Sequence, residues 1–190
     1  MLKIRRNARL LVKYRLGMDG ERHTAQALGP LLNRGYNIYH DLLFEKPDGT
    51  KFNIDHVLLG PSGVIAIETK ARSKDPLLKG KDSATITYDG RKVIFPSGAT
   101  EDNCLIQALA NGRTLSKELT RAAGETIPVR AAVCFPGWFV TVTAPRVNPY
   151  VCNPEMLVHW VVAQNPHSFD SKTMKRVQSQ LEQLAALRTD

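Results

Sequence analysis

Two carboxylates and an amine stand close together in the stretch Asn53–Arg72, NIDHVLLGPSGVIAIETKAR. Asp55 lies in one apolar run, Ile54–Leu59, while Glu68 and Lys70 follow another, Val64–Ile67; Gly60-Pro61-Ser62-Gly63 separates the two. Short apolar runs around a Gly/Pro turn read as the arms of a β-hairpin. With Pro61 and Ser62 at a symmetric tip, Val57 faces Ala66 and Asp55 faces Glu68. Directly opposed residues have Cβ atoms roughly 4.5–5.5 Å apart. Strand alternation puts Lys70 on the same face as Glu68, one pleat further along. Opposed like charges destabilise a hairpin, so a purely structural one has no reason to choose this pair. A divalent cation turns the repulsion into coordination. Mg²⁺ is usually held by one or two carboxylates, with waters and substrate phosphates completing its octahedron. The register is the condition, because a bulge at the turn would carry one carboxylate to the opposite face.

The rest of the chain must position this hairpin. Residues 1–17 are basic, with apolar residues too irregularly spaced for a clean helical stripe, and read as a terminal arm of loosely helical character. Asp19 is suited to cap a helix over Gly20–Leu28, with Glu21 in its first turn, where the helix dipole favours a negative charge. Gly29-Pro30 predicts a kink or a restart. Tyr36–Phe44 is a first strand, and Lys46-Pro47-Asp48-Gly49 a turn into the hairpin. His56, next to Asp55, points to the opposite face and reads as a packed or hydrogen-bonded histidine.

Beyond Lys70 comes a polar, basic loop; Thr85–Tyr88 and Val93–Phe95 then flank Asp89-Gly90, a tight-hairpin signal. That hairpin is expected to project beyond the core sheet. Leu105, Leu109, Leu115, Leu119 and Ala122 mark one stripe of a helix from Asn103 to Ala122. Val129–Phe135 is a buried strand, Trp138–Val142 starts another, and Ala144–Pro154 is loop with a short strand. Pro154–Val162 and a segment carrying Phe169, Met174, Val177, Leu181 and Leu184 complete the helices. This order is that of an α/β or α+β domain, with a central mixed sheet of four or five strands flanked by helices and the candidate site at one sheet edge.

Composition narrows the partners. Lys and Arg total 26 against 18 Asp and Glu, a formal net charge of +8. Lys3, Arg5, Arg6, Arg9, Lys13 and Arg15 crowd the start, and Arg72, Lys74, Lys79 and Lys81 follow the carboxylate hairpin. Such charge favours polyanions, and its place beside a candidate metal site favours nucleic acid, held by Arg72, Lys74, Lys79 and Lys81 through its phosphates. An anionic membrane surface is the other partner the charge of residues 1–17 would suit. No apolar run approaches the ~20 residues that cross a bilayer. The start lacks the uninterrupted apolar core and small-residue cleavage site of an export signal. Cys104, Cys134 and Cys152 are odd in number without C-x-x-C spacing, which predicts reduced thiols, a cytoplasmic location and no structural zinc. The phosphate-binding loop G-x-x-x-x-G-K-[S/T] is absent, so no ATP-driven step is implied.

Asp55 followed by Glu68-x-Lys70 resembles the D…(D/E)xK signature of the PD-(D/E)XK nuclease superfamily. More closely, Gly20-Glu21, IDHVLLGPSG at Ile54–Gly63 and IETK at Ile67–Lys70 resemble the nuclease-related domain, from about Met18 to Phe139. The resemblance implies a restriction-endonuclease-like three-layer core over residues 18–190, preceded by the arm at 1–17. It implies a metal-dependent hydrolase of phosphodiesters in nucleic acid, with DNA favoured, using Mg²⁺ or Mn²⁺. Asp55, Glu68 and the Thr69 carbonyl would be its ligands, and Lys70 an orienter, electrostatic stabiliser or base. Glu21 would approach the metal, and Gln107, on the helix after the hairpin, would help to orient the site. The alternative is a catalytically silent module of the same fold that binds nucleic acid or recruits a partner.

Overall fold

The two apolar runs become inner strands of a five-stranded mixed sheet. The computed structural model describes residues 2–45, 48–166 and 169–187, with side chains from residue 10 onward, so half of the predicted turn at 46–49 lies outside the described residues. Helix α1 (Leu2–Leu28) and a 3₁₀ turn (Gly29–Arg34) precede β1 (Asn37–Glu45), β2 (Lys51–Gly60) and β3 (Gly63–Thr69). Then come a 3₁₀ turn (Lys81–Ala84), β4 (Thr85–Tyr88), β5 (Val93–Ile94), β6 (Thr100–Glu101) and α2 (Asn103–Ala123). Strands β7 (Val129–Cys134), β8 (Phe139–Val142) and β9 (Tyr150–Cys152) and helices α3 (Pro154–Ala163) and α4 (Ser171–Ala186) follow.

The central sheet runs β1-β2-β3-β7-β9. Pairing is antiparallel between β1, β2 and β3, and parallel between β3, β7 and β9, so α2 is the crossover that returns the chain alongside β3. Strand alternation sorts the side chains into two layers. Val57, Leu59, Val64 and Ala66 pack against Leu115 and Leu119 of α2 and Val177 and Leu181 of α4. Leu58, Ile65 and Ile67 pack on the other side against Leu28, Leu31 and, from α3, Leu157 and Val161. Every residue of β3 is buried, as a central strand covered on both faces requires. Each fully buried Leu, Ile or Val side chain contributes about 1.5–3 kcal/mol, so this sandwich is a firm platform for whatever its strand ends carry.

Three expectations need correction. Helix α1 runs without a break from Leu2 to Leu28, so Asp19 is an interior residue rather than a cap, and Glu21 does not lie in a first turn. Nothing between Arg15 and Gly20 breaks a helix; Pro30 supplies the first stop, at the 3₁₀ turn. The hairpin of β4 and β5 does not project alone: β6 and β8 extend it into a second four-stranded sheet, β6-β5-β4-β8, over a core that includes Ile86, Tyr88, Phe135 and Trp138. The carboxylate pair sits on two inner strands, at the end of their ladder, and not on an edge strand of the sheet.

Two glycines set the approach of elements to the hairpin. A Cβ on Gly20 would stand 2.8 Å from the Ala71 Cβ, so glycine lets α1 close against the chain leaving β3. A Cβ on Gly60 would run into the Tyr36 ring, whose hydroxyl donates to Ser62 Oγ (2.9 Å) at the hairpin tip.

Candidate active site at the β2–β3 fork

The β2–β3 ladder starts at Gly60↔Gly63, sets Val57 against Ala66 and ends at His56↔Ile67. One further step in the same register brings Asp55 to Glu68. There the main-chain pairing stops, and Asp55 Oδ2 accepts the Thr69 N–H instead (2.7 Å). On the other edge of β3 the Lys70 N–H donates to the Cys134 carbonyl (2.8 Å), so the chain stays anchored to β7 while the fork opens towards β2. Both carboxylates are sequestered, Asp55 7% exposed and Glu68 5%.

Helix α2 closes the fork from above. Asn111 Nδ2 donates to Glu68 Oε2 (3.3 Å), and Asn111 is itself only 5% exposed. It occupies the helical stripe of Cys104, Ala108 and Leu115, the face that packs on the sheet. Composition gave no hint of it, yet a polar residue in the middle of a buried stripe is a readable signal.

Burial is the first cause of the electrostatics. Desolvation drives the Asp55 carboxyl up to about 7; the Thr69 N–H opposes this, the charges of Glu21 and Asp41 add to it, and Lys70 pulls back. Desolvation likewise drives Glu68 up to about 8, with Asp55 and then Glu21 raising it and Lys70 lowering it. The two titrate as a pair, so near neutrality the metal-free site holds a proton that a cation would displace. Asp41 contributes from β1, where it alone among the described non-glycine residues has a positive φ, 53°. Its carboxylate accepts from Asn53 Nδ2 (3.2 Å). His56 turns to the opposite layer as expected, buried, its Nδ1 2.8 Å from that of His40 and its pKa lowered to about 3 by burial and then by His40.

The remaining candidates divide. Glu21 follows Gly20, which abuts Ala71, and its charge reaches both carboxylates. Lys70 is half-buried and acts on the same pair. Gln107 is exposed one helical turn before Asn111; the two line a shared cleft of about 780 Å³, but it is Asn111 that touches Glu68. Arg72 pairs with Glu101 and offers its carbonyl to Trp138 Nε1 (3.1 Å). Lys74 lies over the Trp138 ring (5.9 Å) and Lys81 over Phe139 (5.3 Å), while Lys79 is exposed on the loop between.

The family model of the nuclease-related domain matches residues 16–136, which span α1 from its last turns through β7 and include the whole fork. The chain belongs to the nuclease-related domain family. No curated protein matches it. Within this nuclease-related domain the matched region contains Gly20, Glu21, Asp55, Glu68, Lys70 and Asn111, so the fork lies inside the part that defines the family.

Nuclease-like domains typically use a divalent metal, and the donor chemistry can be tested against that. Among the described residues no group of three or more His, Cys, Asp or Glu forms a metal cage. Two buried hard-oxygen carboxylates beside an open ladder fit a hard divalent ion such as Mg²⁺ or Mn²⁺, which takes few protein ligands and keeps its waters. Asn111 would act on such an ion through Glu68. Replacing it by Leu, nearly isosteric but without the donor, should weaken Mn²⁺ binding about tenfold by calorimetric titration, the scale of losing a partner that orients a ligand.

Proposed function

We propose that this nuclease-related domain hydrolyses phosphodiesters in nucleic acid, DNA being the favoured polymer, with Mg²⁺ or Mn²⁺ at the β2–β3 fork. The observation that carries the reading is the pair of buried carboxylates, Asp55 and Glu68, at the end of one ladder with Lys70 beside them. A structural hairpin would gain nothing by burying two like charges, and the raised pKa values register that cost.

Asp55 and Glu68 would hold the ion by one carboxylate oxygen or more each. The Thr69 N–H points at Asp55, and since a strand residue's N–H and C=O lie on the same edge, the Thr69 carbonyl would be the third donor. The ion supplies charge neutralisation at the scissile phosphate and a lowered pKa for water there. Lys70 orients the nucleophile and offsets phosphate charge, and as an ammonium it eases the loss of the pair's shared proton. Glu21 accepts from water on the α1 side, and Gln107 with Asn111 borders the cleft by which the polymer approaches. Arg72, Lys74, Lys79 and Lys81 contact phosphates, which fixes position without reading sequence.

Lys70→Ala tests the division of labour. Cleavage of labelled DNA should fall by about 100-fold or more, the scale of removing a positioned proton-transfer or electrostatic group. Mn²⁺ affinity should stay within a few-fold, because Lys supplies no ligand oxygen. Loss of Mn²⁺ binding in Lys70→Ala, or a variant that cuts as fast as wild type, would contradict these roles.

A further inference from the structure

We propose that the cleft between α1 and the chain leaving β3 is a second phosphate subsite, which receives the nucleic-acid phosphate next to the one at the carboxylate fork. The inference rests on the proposed hydrolase reading and extends it by one step along the substrate backbone. The cleft, about 340 Å³, is lined by Lys13 and Gly17 from α1 and by Thr69, Lys70, Arg72 and Ser73 from the strand exit. Among the described residues no carboxylate lines it, and the donors are cationic or hydroxyl groups, as an anion requires.

Thr69 supplies the second, independent observation. It is 8% exposed, and its Oγ1 is buried with no hydrogen-bond partner among the described residues. Native proteins seldom leave a buried hydroxyl unmatched, so such an orphan points to a missing partner, and among the cations of this cleft an anionic oxygen is the partner that fits. Alternation turns Thr69 away from Glu68 towards the layer of Ile65 and Ile67, against which α1 packs. Its main-chain N–H meanwhile binds Asp55. One residue therefore separates fork from cleft, and Lys70 serves both, lining the cleft while acting on the pair. Arg72 is partly engaged by Glu101, which leaves Lys13 as the cation that α1 brings to the cleft.

The subsite gives the basic amino-terminal segment a role as a wall of the substrate channel. Gly17 has nothing within 4 Å of where a Cβ would stand, so a side chain there would enter open space without disturbing the packing.

The test is fluorescence-anisotropy binding of a labelled 20-nucleotide DNA in EDTA at several salt concentrations. The proteins are wild type, Lys13→Gln, Gly17→Leu, which plugs the cleft, and Lys175→Gln, a control on α4 with the same loss of charge. Lys13→Gln should weaken binding about five- to tenfold and lower the slope of log affinity against log salt by about one. Gly17→Leu should weaken binding comparably, and Lys175→Gln should leave both quantities near wild type. Wild-type affinity and slope in Lys13→Gln and Gly17→Leu, or equal losses in the Lys175 control, would overturn the subsite while leaving the hydrolase reading standing. Wild type that binds no DNA or RNA would overturn both. No arm depends on cleavage, so the subsite is tested equally well if the fork is inactive.

Discussion

Glu68→Gln is expected to abolish metal-dependent cleavage, by about 1,000-fold or more, and at the same time to stabilise the metal-free fold at alkaline pH. The loss follows from the charge that holds the cation: each 1.36 kcal/mol of transition-state stabilisation is tenfold in rate, and a metal ion supplies several. The gain follows from burial. Glu68 is driven up by desolvation and by Asp55, so above about pH 8 the wild type carries two buried, opposed charges where the variant carries one. The glutamine keeps an acceptor for Asn111 Nδ2 and nearly the same volume. Relief of about 1–2 kcal/mol should raise the melting temperature by roughly 2–8 °C at pH 9, at about 2–4 °C per kcal/mol for a domain of this size. At pH 6 the gain should be smaller, and it should vanish only near pH 4, where Glu68 is protonated in the folded and the unfolded chain alike. A variant less stable than wild type at pH 9 would mean that Glu68 is a structural group.

The second large effect is the pH dependence of the metal-free protein and its reversal by metal. Both carboxyls are raised on folding, so between their unfolded values near 4 and their folded values of about 7 and 8 the native state binds more protons than the unfolded chain. Stability from this source is fully present below pH 4 and is lost as pH rises through 7 and 8. The melting temperature in EDTA should therefore fall by several degrees from about pH 6 to pH 9, beyond whatever the rest of the chain contributes. Saturating Mn²⁺ should do little at pH 6 and raise the melting temperature most at pH 8–9, because the ion binds the deprotonated pair and displaces its proton. Asp55→Asn should flatten both curves. Melts of wild type and Asp55→Asn with and without Mn²⁺ check this, and a wild type whose melting temperature is indifferent to both pH and Mn²⁺ would contradict it.

The hairpin was readable because its determinants are local. Two apolar runs, a two-residue tip and period-two alternation are enough to set Val57 against Ala66, and the register of the carboxylates follows. The buried crossover helix was equally plain from its stripe. The membership of the second sheet was not, because β8 joins β4 in parallel from far along the chain, and nothing near Phe139 names its partner. The helical character read loosely at residues 1–17 belongs to α1, and the expected start at Gly20 fails because Leu10, Leu11, Val12 and Tyr14 are exposed and show no packing face that joins the two stretches. It is anchored at its far end, by Leu28 in the sheet core, by Thr24 on Cys134, and by Gly20 against Ala71, the last a contact made by the lack of a side chain, which no hydrophobic pattern records. Asn111 escaped notice for the opposite reason. An asparagine in a helix reads as solvated, and its place in the stripe of Ala108 and Leu115 was the one signal that could have found it; its amide is aimed at Glu68.

The charge was visible but its arrangement was not. Lys13 and Lys70 are remote in sequence, and only the packing of α1 on the strand exit brings them to one cleft. The exposed loop cations Lys74 and Lys81 each lie over an aromatic ring, Trp138 and Phe139, contacts that the sequence spacing does not show.

One measurement bears most directly on the proposed hydrolase: cleavage of end-labelled single- and double-stranded DNA by purified wild type in Mg²⁺ or Mn²⁺, beside the same protein in EDTA and beside Glu68→Gln. Wild type should cut with either metal and not in EDTA. Glu68→Gln should not cut at all, yet should bind DNA in EDTA at least as tightly, because a negative charge near the phosphate has gone. Folded wild type that binds DNA yet cuts neither DNA nor RNA with either metal would contradict the reading, as would cleavage that survives the loss of the Glu68 carboxylate.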